Sequence, residues 1–505
     1  MANEAGLFRT CPVTGLKVHL PAEALIKANA VAAVVFILIG GILALLVALT
    51  RWQAVHLLPA DLFYRALTAH GVNMLIFWVI FFEIAGLYFG SAVVLSTRLA
   101  APKLGWVAFV VMLAGTILTN GTILMGQADV MFTAYPPLKA HPLFYLGYIL
   151  FAVGALIGCG LFFATLMIAR SEGKYAGTLP LVTFGLAIAA IIAVVTIVGG
   201  ATILIPTVLW SLGIVSHIDA ATYRLIFWLF GHSSQQINVA AMVSVWYLLA
   251  TLTVGAKPVS EVFSRTAFLF YAFFINMASA HHLMVDPALT PAWKVWNTGY
   301  FLHVAVLASM MHALAIPASV EIAQRRKGYV HGLFEWLRKA PWGDPGFSAL
   351  VLSVLLFGVL GGITGVVFGT EQISIISHNT WKITGHFHGT VVAGTTLAFM
   401  GLTYYVIPLI FRREVISKRL AMIQPYLFGI GVAIFSVAMM MAGGFGVPRR
   451  HWDVTFAGAP FGFEFNPVVF SLLGVMGIGA ILAVLGGAIY VGVTVGSVFF
   501  GKKIR

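Results

Sequence analysis

The stretch GHFHGTVVAGTTLAFMGLTYYVIPLI, residues 385–410, opens on two histidines and then runs apolar far enough to cross a bilayer. A second apolar run, near residues 262–284, closes on the dipeptide His281-His282. Four histidines thus sit on two segments that read as membrane helices, in a chain of which only 9% is charged. Polar groups inside a bilayer are rare and functional by default. Neutral imidazole is also the commonest protein ligand for transition metals.

Working outward, the whole chain of 505 residues is 60% hydrophobic and reads as an all-α integral membrane protein. Apolar windows of about 20 residues predict roughly twelve helices, near 25–50, 69–97, 104–127, 143–169, 179–209, 222–252, 262–284, 298–321, 346–368, 384–411, 420–443 and 468–498. The net charge of +13 does not point to nucleic acid, because the basic residues lie in short clusters between these runs. The connections after the even-numbered helices carry Arg98 and Lys103, Arg170 and Lys174, Lys257 and Arg265, the group from Arg325 to Lys339, and Arg412, Arg413, Lys418 and Arg419; Lys502, Lys503 and Arg505 follow the last. That asymmetry predicts both termini in the cytoplasm.

Three segments are expected: 1–24 as a cytoplasmic N-terminal piece, 25–500 as one transmembrane catalytic domain, and 501–505 as a cytoplasmic tail. Residues 1–20 are mixed and include Arg9, Cys11 and Lys17, so no cleavable signal peptide is expected and the first helix reads as its own targeting signal. Cys11 and Cys159 are the only cysteines, which argues against a disulfide framework or a thiolate metal site.

Helical geometry constrains the histidines. His386 and His388, two apart, point about 200° away from each other, so they suit two different cofactors on opposite sides of a helix, as between two heme planes. His281 and His282 differ by only about 100° and can converge on one ion at the end of the seventh helix, with His232 as a third ligand. His70 opens the second helix at the predicted outer face, where it can clamp a heme against one of the helix-10 histidines. Arg449-Arg450, also outside, suit paired heme propionates; taken alone they equally suit an interfacial anchor. His303 and His312 read as hydrogen-bonding packing residues.

Six strings carry a family resemblance: LTAHGVNM (67–74), FTAYPPLKAHPLFYLG (132–147), LIFWLFGH (225–232), SAHHLMVDPALTPAWK (279–294), SHNTWKITGHFHG (377–389) and GVPRR (446–450). Through them the chain resembles subunit I of the heme-copper oxidoreductases, and the B-type oxidases most of all. The resemblance implies that His70 and His388 are axial ligands of a low-spin heme, type b favoured. It implies that His386 is the axial ligand of a high-spin heme, and that His232, His281 and His282 hold a non-heme metal. It places Arg449, Arg450 and His378 at the propionates, with Asp286 nearby.

The sequence departs from the oxidase pattern at GHSSQQ, residues 231–236. Oxidases of this type carry a cross-linked tyrosine four residues after the helix-6 histidine; here Gln236 stands in that place with Gln235 beside it. The position from which C-type oxidases supply their tyrosine is Ile275. The polar positions of the B-type proton route match Val243, Tyr247, Ala308 and Met311, of which only Tyr247 remains polar, so that channel is expected to be absent or rerouted.

Four-electron splitting of dioxygen draws on that tyrosine, whereas reduction of two nitric oxide molecules needs only two electrons. The expectation is therefore a nitric oxide reductase on a B-type scaffold. A terminal oxygen reductase without the tyrosine is the alternative, and a transporter with packing histidines is a third reading. Gln235 and Gln236 are candidates to orient a ligand, donate to a bound molecule or bind the metal, or else they merely bridge helices. Histidine-only ligation suits copper or iron, and iron is favoured because nitric oxide coupling in the family uses it. Buried Glu83 reads equally as part of a proton path or as a paired acid, and Tyr247 and Asp286 are the other candidates for such a path. Lacking CxxCH and a copper-binding cysteine pair, the chain implies a second subunit bearing dinuclear copper or a c-type heme, fed by cytochrome c or, alternatively, quinol.

Overall fold

The computed structural model describes residues 6–12, 14–287, 289–456, 459–460 and 463–504. Within lipid every backbone amide must be satisfied inside its own segment, and the described chain is accordingly a bundle of long helices. In chain order these are α1 Leu20–Arg51, α2 Ala60–Val93, α3 Pro102–Leu124, α4 Pro142–Ser171, α5 Leu181–Ser211, α6 Ala220–Val254, α7 Glu261–Phe270, α8 Pro291–Arg326, α9 Pro345–Phe368, α10 Trp381–Phe411, α11 Lys418–Gly444 and α12 Val468–Phe500. All but α7 are long and apolar enough to span a membrane. Before α1 an antiparallel hairpin pairs Phe8–Thr10 with Lys17–His19, and Arg9 ties it to Glu23 of α1 at 2.6 Å.

Two helix ends differ from the sequence expectation, each for a physical reason. α2 begins at Ala60, ahead of the apolar window, because Asp61 and Arg65 sit one turn apart and pair at 3.8 Å outside the hydrocarbon. His70 consequently lies within the helix and does not open it. The seventh helix does not reach 284: α7 passes into a π turn, Tyr271–Ile275, and helix ends at Met277. There the side-chain amide of Asn297, from α8, donates to the Met277 carbonyl and so takes up a helix-terminal acceptor. His281 and His282 ride instead on a separate 3₁₀ turn, Ala280–Leu283.

Further π turns cluster around the same level: Asn73–Trp78 after His70, Phe357–Ile363 in α9, and Val391–Thr396 after His388. Such turns reorient side chains and recur at functional sites. Close approach of α9 and α10 depends on Gly389, whose added Cβ would lie 2.6 Å from the Leu360 Cβ and 2.8 Å from its backbone. The large exposed apolar side chains, such as Leu124, Met167 and Leu314, form the outer surface of the bundle, as a lipid-facing wall requires.

Candidate metal and cofactor centre

A cavity of about 320 Å³ lies inside the bundle, lined by His70, His232, His281, His282, His386 and His388, with Gln235, Gln236, His378, Arg449 and Arg450. The fold therefore gathers into one space most of the residues singled out from the sequence. No tyrosine lines that cavity among the described residues.

Three imidazoles converge at one end. Ligand nitrogens of His232, His281 and His282 all lie within 4.8 Å of one another. His232 Nδ1 is 3.3 Å from His282 Nε2. Two nitrogens bound at about 2.0–2.1 Å to one tetrahedral ion stand about 3.3–3.4 Å apart, so the spacing suits a shared metal. His281 directs Nδ1 at the Ala278 carbonyl, 2.6 Å away, which fixes the proton there and leaves Nε2 as its ligand atom. His282 is held from behind by Trp228, stacked with ring centres 3.8 Å apart.

His70 and His388 face one another with ring centres 6.4 Å apart and planes 8° from parallel. One metal between two imidazoles, about 2 Å from each nitrogen and with each ring centre about 1.2 Å farther back, requires about 6.4 Å. Each ring again spends Nδ1 on a backbone carbonyl, Gly40 at 3.0 Å for His70 and Thr384 at 2.8 Å for His388. Both Nε2 atoms are thereby set as ligands. The pair fits a bis-histidine heme.

On the opposite face of α10, His386 places Nδ1 2.9 Å from the Thr364 hydroxyl, leaving Nε2 toward the triad's side of the cavity. Gly365 gives it room, since a Cβ there would lie 3.1 Å from His386 Cε1. The two-apart spacing thus does what helical geometry demands and presents two ligands to two separate places.

The chain after α11 folds back over the start of α10: Trp381 N donates to the Val447 carbonyl at 2.9 Å, and Arg449 N to the Asn379 carbonyl at 2.8 Å. This docking puts Arg449, Arg450 and His378 at the cavity rim. Burial pushes the Arg449 guanidinium down to about 9, with neighbouring Arg450 adding to the effect. Burial likewise pulls His378 down to about 4, with Arg449 and Arg224 contributing. Neither Arg449 nor Arg450 is ion-paired among the described residues, so the chain concentrates cationic donors there without matching acids. Paired carboxylates of a heme would answer that demand. Asp286 is not at the rim itself; it forms a two-pronged pair with Arg224 at 2.8 and 2.9 Å, while Arg450 lies 5.2 Å over the Tyr135 ring.

Arg51 is a residue the sequence does not single out, because it reads as an ordinary basic residue at a helix end. It is 3% exposed, stacks 4.2 Å over Trp381, and donates to the Pro448 carbonyl at 2.8 Å. Its Nε has no partner, nor has Nε of Arg449, and both side chains line a cavity of about 230 Å³ that His70 and His388 also border.

Gln236 sits behind the triad, its side-chain amide 3.2 Å from His232 Nε2. The near atom is the amide nitrogen, which donates to the ring in this orientation; when Nδ1 faces a metal, Nε2 bears the proton, and the amide turned over presents its oxygen to accept it. Of the roles weighed for this residue, orienting a ligand is the one this contact fits. Gln235 bonds within its own helix, to Ser234 at 3.3 Å and Asn238 at 3.2 Å, while lining the cavity. Glu83 has no ion-pair partner among the described residues and one carboxylate oxygen without a hydrogen bond. It borders a separate cavity of about 80 Å³ with Tyr148, Cys159 and Thr196. Pairing within the bundle is therefore not what keeps it there.

Comparison with known proteins agrees with this arrangement. Residues 24–485 match the family described as cytochrome c and quinol oxidase polypeptide I. Cytochrome c oxidase subunit 1 of Thermus thermophilus is 31% identical over 429 residues, which cover 83% of this chain and 74% of that protein. The subunit 1 of Thermostichus vulcanus is 24% identical over 446 residues, covering 83% of this chain and 75% of the other. A heme-copper terminal oxidase dimer solved by cryo-electron microscopy superposes with a TM-score of 0.90 at 27% identity, over 96% of this chain and 85% of the other.

Proposed function

The chain belongs to the cytochrome c and quinol oxidase polypeptide I family, and from that premise we propose that it is the catalytic subunit of a membrane nitric oxide reductase, 2 NO + 2 e⁻ + 2 H⁺ → N₂O + H₂O. It is an integral membrane oxidoreductase whose family binds hemes and a metal centre, and whose members work with a second subunit and with cytochrome c or quinol. The observation that carries the finer reading is the cavity wall: Gln236 stands behind His232, and no tyrosine lines the space among the described residues. A cavity without a phenol lacks the side chain that, by resemblance, gives an oxidase its further electron and proton together. Chemistry needing two electrons fits it; chemistry needing four at once does not.

In this reading His70 and His388 hold the low-spin heme, His386 holds the high-spin heme, and His232, His281 and His282 hold the non-heme metal, iron favoured over copper. These cofactors, when bound, supply the two electrons. Arg449, Arg450 and His378 anchor propionates, and Gln236 keeps His232 in the tautomer that offers Nδ1. The termini lie in the cytoplasm and the metal centres in the outer half of a bacterial or archaeal membrane. The second subunit carries dinuclear copper or a c-type heme, with quinol as the alternative donor. Dioxygen reduction is the competing reading, favoured by the 31% identity to a cytochrome c oxidase subunit. Anaerobic turnover of the reduced complex with nitric oxide tests the proposal. One N₂O per two electrons is expected, and no N₂O above the protein-free control overturns it.

Two side-chain predictions follow from the same geometry. Gln236→Leu removes the acceptor on His232 Nε2, and loss of such an outer partner weakens metal affinity by about 10–100-fold; titration against a competing chelator measures it. Arg51→Gln removes a buried positive charge beside the low-spin heme site, which favours the oxidised form. Its midpoint potential should fall by on the order of 60 mV, a tenfold change in a one-electron equilibrium. Arg51→Lys, which keeps the charge, should recover most of that in a potentiometric titration.

A further inference from the structure

His312 of α8 is fully buried, and its imidazole is engaged on one side only. The Tyr247 hydroxyl lies 3.1 Å from its Nδ1, while its Nε2 has no partner. Tyr247, from α6, donates in turn to the Ser264 hydroxyl of α7 at 2.8 Å. Ser264 reaches the carbonyl of Ser260 at 3.1 Å, and Ser260 is the exposed N-cap of α7. That end of the series lies in the connection bearing Lys257 and close to Arg265, on the basic face of the bundle. On the other side of His312 the Tyr271 ring stands with its centre 5.5 Å away and its plane 33° from the imidazole. Tyr271 shares a hydrogen bond of 2.8 Å with the Ser309 hydroxyl, and Ser309 lines the cavity that holds the histidine triad.

Three elements thus contribute one ladder of polar groups through otherwise apolar packing, from the main-chain carbonyl of exposed Ser260 to the metal cavity. A structural hydrogen bonder needs no free nitrogen pointing onward, and leaving a buried polar atom unsatisfied is destabilising. Tyr271 opens a π turn, and its hydroxyl meets Ser309 of α8. Val243, Ala308 and Met311 stay apolar, so of the four positions where a B-type route is expected the series keeps only Tyr247; it passes one residue to the side of two others, through Ser309 and His312.

We propose that Ser264, Tyr247, His312, Tyr271 and Ser309 form the proton route from the basic, cytoplasmic face to the metal cavity, with His312 as its central relay. Imidazole takes a proton on one nitrogen and releases one from the other, so nothing accumulates: the Tyr247 hydroxyl turns from Ser264 to give its proton to Nδ1 and is reprotonated from Ser264, and Ser264 takes the next proton from solvent water at the exposed start of α7. The Nε2 proton then passes across to the Tyr271 hydroxyl, through one water or a swing of the ring, and Tyr271 hands its own proton to Ser309. The next transfer begins when the imidazole has returned its remaining proton to Nε2 by turning over.

This inference rests on the proposed reading only in that the cavity consumes protons, which it does with nitric oxide or dioxygen as oxidant. The test uses the full complex in sealed vesicles, with pH indicator inside or outside, and whichever of the two gases the unaltered complex turns over. His312→Leu should slow turnover by at least about tenfold, raise the solvent isotope effect of the residual rate, and abolish proton uptake from the cytoplasmic-face compartment, while heme spectra and midpoint potentials stay unchanged. Should His312→Leu fail to assemble, Tyr271→Phe, which removes one hydroxyl, should give the same three changes. Turnover within twofold of the unaltered complex in the assembled variant, with uptake sidedness unchanged, overturns the relay. Absence of N₂O with normal dioxygen turnover would overturn the proposed function and still leave the relay to be judged on dioxygen.

Discussion

His282→Ala should remove the non-heme metal from the purified complex and lower turnover by on the order of 10³-fold. The reason lies in how little redundancy the site has. Its ligand atoms come from three residues on two elements, within 4.8 Å of one another, and no fourth His, Cys, Asp or Glu joins them among the described residues. His232 and His281 alone leave a two-coordinate site. Trp228, which stacks on the His282 ring, would then border a void that no polar side chain fills. Metal analysis of the complex should show one equivalent lost, with both hemes retained. Unchanged metal content would remove His282 from the ligand set.

His70→Leu should delete the low-spin heme and, with it, electron delivery. His388 remains, but its Nε2 would face an apolar side chain across a gap of 6.4 Å between ring centres that one metal bridges. A heme held from one side only, in a slot shared with lipid-facing helices α1 and α12, loses its second strong bond and its fixed orientation. Heme extraction should give one heme per chain in place of two. Turnover with the physiological donor should fall by on the order of 10²–10³-fold. His386 lies on the other face of α10, so the high-spin spectrum should persist, and its loss along with the low-spin one would mean the two sites are not separable.

Much of this site was legible because helix angles are simple arithmetic. The two-apart His386 and His388 do diverge, and the adjacent His281 and His282 do converge with His232. The end of the seventh helix was not legible, since INMASA continues the apolar run and the cause of termination is a side chain from another helix, Asn297. A 3₁₀ turn sets neighbours about 120° apart, close enough to the helical angle that the two imidazoles still converge although the element differs. The start of α2 was hidden for the opposite reason: a charged pair, Asp61 and Arg65, belongs to the helix but not to the apolar window.

Arg51 and His312 show a different limit. Each is a common residue type at an unremarkable sequence position, and only packing makes it unusual, by burying a guanidinium without an acid in one case and an imidazole with one free nitrogen in the other. Gln236, by contrast, was informative from the string GHSSQQ alone, and the structure puts its side-chain amide 3.2 Å from His232 Nε2. The substrate reading depends on this position more than on any histidine, since the histidines serve both gases alike.

The most direct measurement is the ratio of steady-state turnover with nitric oxide to that with dioxygen, on one preparation of the complex with one electron donor. The account predicts a ratio well above one, with N₂O formed at half the rate of nitric oxide consumption. Rapid dioxygen reduction beside negligible N₂O would contradict it.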